Sequence, residues 1–565
     1  MTRTPLLLAT ALVWILAIGG YPRAAAAPRS TDPHQSVEFA TSDNCLACHN
    51  GLIAADGEDV SIGVAWRASM MANSSRDPYW QASVRRETLD HPKHGAAIQD
   101  ECAICHMPMA RAAAHASGGR GEVFALAPGN LKGRVDSDLH RLAADGVSCT
   151  LCHQIGPDRL GTRDSFVGGF VVSSRAPDGL KMFGPYDVEA GLTRTMRSVT
   201  DATPSKAEHL RQSEVCATCH TLYTEAFGPS GEVVGSLPEQ MPYLEWRHSA
   251  FGRERVAPNG EAGPVAPKPN SEGGRSCQSC HMPDVEKAPI ASVLGEPRER
   301  LARHTFIGGN FFMLRMLNRF RASLGVTAPA QELDASARAT LRQLESETAA
   351  IEIARASAAD GRVDAEVVVR NLTGHKLPTG YPSRRVWIHL TVRDAGGGVV
   401  FESGAVDQAG RIAGNDNDAD PARFEPHYDE VRSADQVQIY ESIIAGRDGA
   451  VTTGLLTATQ FVKDSRLLPR GFDKATAEAD IAVHGEAARD TNFTDAGDRV
   501  RYSVPVKGTG PFVVEAELRY QPISFRWADN LRRYDAAEPR RFVSYYDAMA
   551  ASSSTVLGRV TTTVR

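Results

Sequence analysis

No cysteine in this chain is left over for a disulfide: its 565 residues contain ten, and all ten fall within five copies of one short phrase. A disulfide framework of the kind that staples small secreted domains is therefore excluded. Long apolar runs are lacking as well. Nothing after residue 27 approaches twenty apolar residues in succession, so no membrane-spanning helix is expected in the mature chain. Positive charge is not in excess: 62 Lys and Arg stand against 68 Asp and Glu, a formal net charge of −6. So acidic a surface is not one built for nucleic acid. The length exceeds what a single hydrophobic core serves, which points to two or three domains.

What is present is Cys-x-x-Cys-His, five times over. The copies are Cys45 and Cys48 with His49, Cys102 and Cys105 with His106, Cys149 and Cys152 with His153, Cys216 and Cys219 with His220, and Cys277 and Cys280 with His281. Two thiols at this spacing add to the two vinyl groups of one porphyrin, while the adjacent imidazole lies beneath the iron as proximal ligand. A zinc half-site or a redox dithiol also uses Cys-x-x-Cys, but neither needs a histidine after every second cysteine. Five covalent c-type haems are the expectation.

The start of the chain reads as a Sec-type signal peptide over residues 1–26. Arg3 supplies the positive end, Leu6 to Ile18 is a nearly unbroken apolar run, and Ala24 to Ala26 offer small residues for cleavage after Ala26. No cysteine sits at that point, so no lipid anchor is expected there. Export to the periplasm or the cell exterior follows, which is where bacterial covalent haem attachment is done. Loss of Arg3 and Arg23 with the signal leaves −8, and haem propionates would add to it.

The first cysteines of successive phrases lie 57, 47, 67 and 61 residues apart, so each haem has considerable polypeptide around it. Residues 27–330 are read as a pentahaem domain of short helices and long loops, with helices over 64–72, 206–219 and 311–324. Sixth ligands decide the chemistry, because an iron with two protein ligands carries electrons and an iron with one is open to substrate. His209 stands ahead of Cys216 on one of those helices, His248 follows Tyr243 to Arg247, and His304 opens a glycine-bearing loop that ends at Asn310. All three are distal candidates. For the second and third haems His91, His94, His115 and His140 lie near, and His140 and His91 are favoured. Near the first haem, Met70 or Met71 is the thioether candidate, with Trp66 one helical turn before Met70.

These residues carry a resemblance. The run from Trp66 to Pro78, the Cys-His-Met-Pro at Cys105 and again at Cys280, Asp145-Gly146-Val147-Ser148, and the stretch from Tyr243 to Ser249 make residues 45 to about 310 resemble a family of multihaem c-type cytochromes. That family groups the nitrifiers' tetrahaem cytochrome with its larger hydroxylamine-oxidising relatives. The resemblance implies closely stacked haems, mostly with two axial histidines, passing electrons in the periplasm or outside the cell. In some relatives the phrase that begins at Trp66 continues into histidine; here it continues into Met70 and Met71. No Cys-x-x-Cys-Lys occurs, so the lysine-ligated haem of the pentahaem nitrite reductases is absent.

After residue 330 the composition changes. Residues 331–358 read as a linking helix, and 359–523 as an antiparallel β-sandwich with strands over 363–370, 386–392, 398–403, 500–506 and 512–520. Residues 524–565 read as an aromatic helix and a tail that pack back on the rest. His375, in the rigid loop Gly374 to Gly380, is a further ligand candidate that would lock the two parts together. Residues 415–420, rich in Asn and Asp, are a candidate calcium loop, although Pro421 and His427 break the EF-hand pattern. The expected fold is thus multidomain α+β. The expected function is electron transfer along a haem chain between redox partner proteins, whether quinol-linked or outer-surface cytochromes. Two alternatives use the same haems: an oxidoreductase acting on a small nitrogen or sulfur compound at one five-coordinate haem, that of Cys45 and Cys48, and a subunit of an extracellular cytochrome filament. Replacing both Met70 and Met71 with leucine is expected to lower the highest haem potential or open one haem, and redox titration of the variant against the parent checks this.

Overall fold

The computed structural model describes residues 38–129, 137–172, 179–253, 274–508 and 510–565. The signal-peptide reading of 1–26 lies outside these. No helix among the described residues is long and apolar enough to cross a membrane.

The first part of the chain is built from short helices because its sequence keeps interrupting them. Pro78–Asp90 starts where Asp77 accepts hydrogen bonds from the Tyr79 and Trp80 N–H groups (2.8 and 3.1 Å), and it stops before His91-Pro92. Gly95–His106 runs into the second Cys-x-x-Cys-His phrase, and Pro108 opens the next helix at once. The helix expected over 64–72 is shorter, Ile62–Arg67. The Asn73 side-chain amide takes the Arg67 and Ser69 carbonyls (3.0 and 2.8 Å) that a further turn would have used. Met70 and Met71 therefore sit in a turn. The helix expected over 206–219 is two pieces, a 3₁₀ turn at Glu208–Arg211 and a helix at Ser213–Ala217, preceded by a strand that ends at Lys206. The helix expected over 311–324 is Phe311–Arg319 followed by Arg321–Leu324, closed by Gly325 at φ 64°.

Three strand pairs stand among these helices: β1 (Leu180–Gly184) parallel to β2 (Ala202–Lys206), and the hairpins β3 (Leu222–Phe227) with β4 (Val233–Gln240) and β5 (Asp284–Pro289) with β6 (Pro297–Ala302). The helix expected over 331–358 fills only half of that span. Ala330–Glu347 is helical, and Ile351 and Ile353 belong instead to β7 (Ala349–Ala359), which pairs with β8 (Arg362–Asn371) across the Asp360-Gly361 turn.

The remaining strands are β9 (Arg385–Arg393), β10 (Val399–Ser403), β11 (Glu430–Val431), β12 (Ile439–Ala445), β13 (Val451–Thr452), β14 (Gln460–Asp464), β15 (Asp498–Pro505), β16 (Phe512–Gln521) and β17 (Thr555–Val564). One sheet runs β11-β15-β8-β7. The other runs β13-β12-β9-β16-β17, with β10 on β9 and β14 on β12. Val363, Val367 and Val369 of the first share a core with Ile388, Leu390, Val514 and Leu518 of the second. In β9 the residues alternate as expected, but Trp387, on the face opposite Ile388, is buried too, under Ile412, Val437 and Ile439. A central strand is covered on both sides. The last helix, Ala537–Asp547, packs on Pro78–Asp90 through Arg85–Glu538 (2.8 Å) and Tyr79–Phe542, and the tail beyond it is strand β17.

In the candidate calcium loop the oxygens are already engaged. Asp418 forms a two-pronged ion pair with Arg385 (2.8 and 2.9 Å), and Arg526 takes the Asn417 and Asp418 carbonyls. Guanidinium groups fill the place read as a metal site. Asp418→Ala, which leaves the buried Arg385 charge uncompensated, is expected to cost about 3–5 kcal/mol by urea denaturation. The melting temperature of the parent is expected to be the same in calcium and in chelator.

Candidate functional site

In each phrase the local backbone is one helical turn. The N–H groups of His49, His153 and His220 donate to the carbonyls of Cys45, Cys149 and Cys216, four residues back (3.0, 3.0 and 2.9 Å). That turn puts both thiols of a phrase on one side. No disulfide joins any of the ten cysteines. All fifteen Cys and His residues of the five phrases line one connected cavity of about 1540 Å³, and Val199 and Val293 at its wall are exposed apolar side chains. Thiols of different phrases come close: Cys45 neighbours Cys149, Cys105 neighbours Cys219, and Cys216 neighbours Cys277. The first phrase is further tied to the third by Ser42, whose N–H and hydroxyl both donate to Asp145 (2.8 and 2.7 Å).

The histidines divide by which ring nitrogen the protein uses. In His49, His106, His153, His281, His304 and His375 the Nδ1–H donates to a backbone carbonyl. The acceptors are Ile290, Ser74, Phe183, Ile307, Ala302 and Lys376 respectively. This is the arrangement that fixes the tautomer of a metal-bound imidazole and leaves Nε2 for the metal. Burial also pushes His106 and His304 down to about 4, so both are neutral near pH 7, as a ligand must be. His304 and His375, both cavity-lining, face phrase histidines with near-parallel rings. His153 and His304 have centroids 6.3 Å apart at 15°, and His281 and His375 are 6.4 Å apart at 6°. Two imidazoles on opposite sides of one ion, with metal–nitrogen bonds of about 2.0 Å, would have centroids roughly 6 Å apart.

His209, His248, His91 and His140 do not line the cavity. Their Nε2 atoms are taken up by the protein: His209 by the Ile155 carbonyl (2.8 Å), His248 by that of Asp473 (3.0 Å), His140 by that of Ala125 (3.1 Å), and His91 by the Thr457 hydroxyl (3.4 Å). His94 and His115 are engaged likewise, with Gly231 and Asp100. Sequence nearness to a phrase suggested these residues; the geometry gives them other partners. Met70 and Met71 both line the cavity. The Met71 carbonyl accepts the Val147 N–H (3.0 Å), and the Trp66 indole donates to the Val147 carbonyl (3.0 Å), so this turn abuts the third phrase as well as the first.

His375 is held rigidly. Its carbonyl accepts from Asn371 and Thr373 (2.7 and 2.9 Å), and the Lys376 N–H donates to Glu245 (3.0 Å) on helix Pro242–His248. The Lys376 ammonium pairs with Asp464 (2.8 Å), which also pairs with Arg466, and Arg466 pairs with Glu245 (2.8 Å). Although burial opposes ionisation, the two cations hold Asp464 well below the usual carboxylate range.

Sequence reasoning did not single out several residues at the cavity. Trp80 stacks on the His106 ring at 4.3 Å and 4°. Tyr79, Ser83, Val84 and Glu87 extend the same helix face, and Tyr381 and Glu239 lie on other elements of the wall. The helical spacing of residues 79, 80, 83, 84 and 87 was the available signal.

Among the described residues one further trio has metal-ligand chemistry, the buried His427, Asp490 and Asp498. It is a hydrogen-bond network instead. The Tyr428 N–H donates to the Gln438 amide oxygen (2.8 Å), which turns the Gln438 NH₂ toward His427 Nδ1 (2.8 Å). Nε2 must then carry the proton, and it donates to Asp490 (3.1 Å).

No family model matches the chain, and no curated protein matches it. Among solved structures it is similar to a penta-heme cytochrome c552 from Thermochromatium tepidum, at 18% identity and a TM-score of 0.45, over 93% of this chain and 98% of that one.

Asp464→Asn would leave Lys376 and Arg466 short of a counter-charge. A loss of about 3–5 kcal/mol in chemical denaturation is expected, with faster proteolysis in the His375 loop.

Proposed function

We propose that this chain is an exported pentahaem c-type cytochrome that transfers electrons between redox partner proteins. The observation that carries the reading is the convergence of all five Cys-x-x-Cys-His phrases on one cavity, with four of their imidazoles, those of His49, His106, His153 and His281, tied through Nδ1. When bound, each haem supplies a one-electron iron couple. The protein's part is to hold, orient and exclude water. The ten thiols would anchor the porphyrins, with His49, His106, His153, His220 and His281 as proximal ligands. His304 would complete the third site and His375 the fifth, leaving Met70 or Met71 for the first. Trp80, Tyr243 and Trp246 supply apolar wall to the flat rings. Close approach between phrases keeps successive carriers within electron-transfer reach.

A second reading is favoured by one observation. Among the described residues only two phrase histidines have a partner histidine across the cavity, and polar Tyr79, Tyr381, Glu87 and Glu239 line the wall beside the second phrase. That suits an oxidoreductase in which the open position belongs to the second site, with the other four feeding or draining electrons.

Haem determination on the purified holoprotein is expected to give five per chain. In low-temperature electron paramagnetic resonance, His304→Ala and His375→Ala are each expected to convert one low-spin haem to high spin. Alanine at His209, His248, His91 or His140 is expected to leave the spectrum unchanged. Fewer than five haems, or unaltered spectra in the first two variants, would sink the assignment.

A further inference from the structure

One buried acid has only a loose ion pair, to a histidine, to account for it. Glu87 lies on the cavity-lining face of helix Pro78–Asp90 and is 4% exposed. Its Oε1 accepts the Leu455 N–H (2.9 Å), but its Oε2 has no hydrogen-bond partner among the described residues. The cation beside it in sequence, Arg86, is turned to Asp90, Tyr534 and Thr453. Outward from Oε2 the next polar atom is Nε2 of His91 at 3.9 Å, and His91 in turn meets the hydroxyl of exposed Thr457. Inward lies the cavity, where Tyr381 feels the charges of Tyr79, Glu239 and Glu87, and Cys102 feels those of Glu101, Glu239 and Glu87. The same helix stacks Trp80 on His106. Glu87 therefore lies between His91, whose side chain is 10% exposed, and the cavity that the second phrase lines.

We infer that Glu87 would take up a proton through His91 on reduction of the haem that Cys102 and Cys105 would anchor and His106 would ligate, so that this site couples one electron to one proton. The inference rests on the haem reading above. When a one-electron donor protein reduced that haem, a bulk proton would pass by way of the His91 imidazole and form an O–H bond on the Glu87 carboxylate; loss of the electron would reverse each transfer. The physical cause is electrostatic. A carboxyl whose burial outweighs its attraction to the neighbouring Arg86 already holds its proton more tightly than usual, and an electron added nearby tightens it further. Burial does raise Glu87 above the ordinary carboxylate range. The charged and titratable groups facing it are Arg86, Asp90 and His91 on its own segment, with Tyr79, and Glu239 and Tyr381 across the cavity. His94 lies beside His91. Glu239, pushed up to about 7 by burial and hydrogen-bonded by Thr224, is the competing proton site on the opposite wall.

The test is redox-difference infrared spectroscopy and potentiometry of the pentahaem protein from pH 5 to 9. For one haem the ratio of reduced to oxidised at fixed potential is expected to fall about tenfold per pH unit, the slope of one proton per electron. The reduced-minus-oxidised spectrum is expected to carry a protonated-carboxyl C=O band. In Glu87→Gln, with haem content and low-spin spectra retained, both are expected to vanish. His91→Ala is expected to keep the band and slow its appearance. A band that survives Glu87→Gln and disappears in Glu239→Gln overturns the inference in favour of Glu239. Five haems without any pH-dependent potential overturn it outright. Fewer than five haems instead overturn the electron-transfer reading on which it rests.

Discussion

The interaction on which the rest of the cavity depends is a hydrogen bond from imidazole Nδ1 to a backbone carbonyl. It recurs in six histidines, and each acceptor belongs to a segment distant in sequence or to a tight local turn. Two consequences follow from one bond. The tautomer is fixed, which leaves Nε2 as the only lone pair, and the ring plane is fixed, which sets where that lone pair is aimed. The thiols of a phrase fix a position along the chain, but only the carbonyl contact fixes an orientation in space. Short helices with long connections are the cost of supplying so many separate carbonyls to one cavity.

His375 ties the strand-rich half to the cavity, and the ties around it are electrostatic. Lys376, Asp464, Arg466 and Glu245 form a buried set of alternating sign. Desolvating such a set is expensive, and a well-packed apolar replacement is often as stable. What an apolar replacement lacks is directionality. Four charged groups with fixed partners allow one placement of the loop, and they hold the His375 ring parallel to that of His281 at 6.4 Å. The second tie, between helices Pro78–Asp90 and Ala537–Asp547, is mostly aromatic and apolar around Arg85–Glu538, and it needs no such precision.

The contrast between these ties explains what could be read from sequence. The phrases were legible because each is five contiguous residues, and so were strands such as β8, β9, β15 and β16, whose pattern is a property of a few neighbouring residues. His304 and His375, which reach the cavity, sit in loops marked by glycine and proline. His209 and His248 look as promising in sequence, yet what separates them is a single contact of Nε2 with the carbonyl of Ile155 or Asp473. No periodicity encodes that. The 64–72 helix failed on one side chain, Asn73, and the 331–358 helix failed because Ile351 and Ile353 satisfy a helical stripe and a strand face alike. Strand β12 was missed for a different reason. All seven of its residues are buried, so it carries no alternation to detect.

Neighbour relations among the thiols add a further step of argument. The first phrase adjoins the third, and the fourth adjoins both the second and the fifth. Cys152 of the third phrase also lies in the field of Cys219. The fourth phrase is then a junction, and the first, second and fifth phrases are ends. On the haem reading, an end is a poor place to pass an electron onward and a good place to hold one. Of the three, the second is the one beside buried Glu87 and the Tyr79–Tyr381 hydroxyls, where a held negative charge can be met by a proton. Connectivity leaves three ends, and electrostatics distinguishes the second among them.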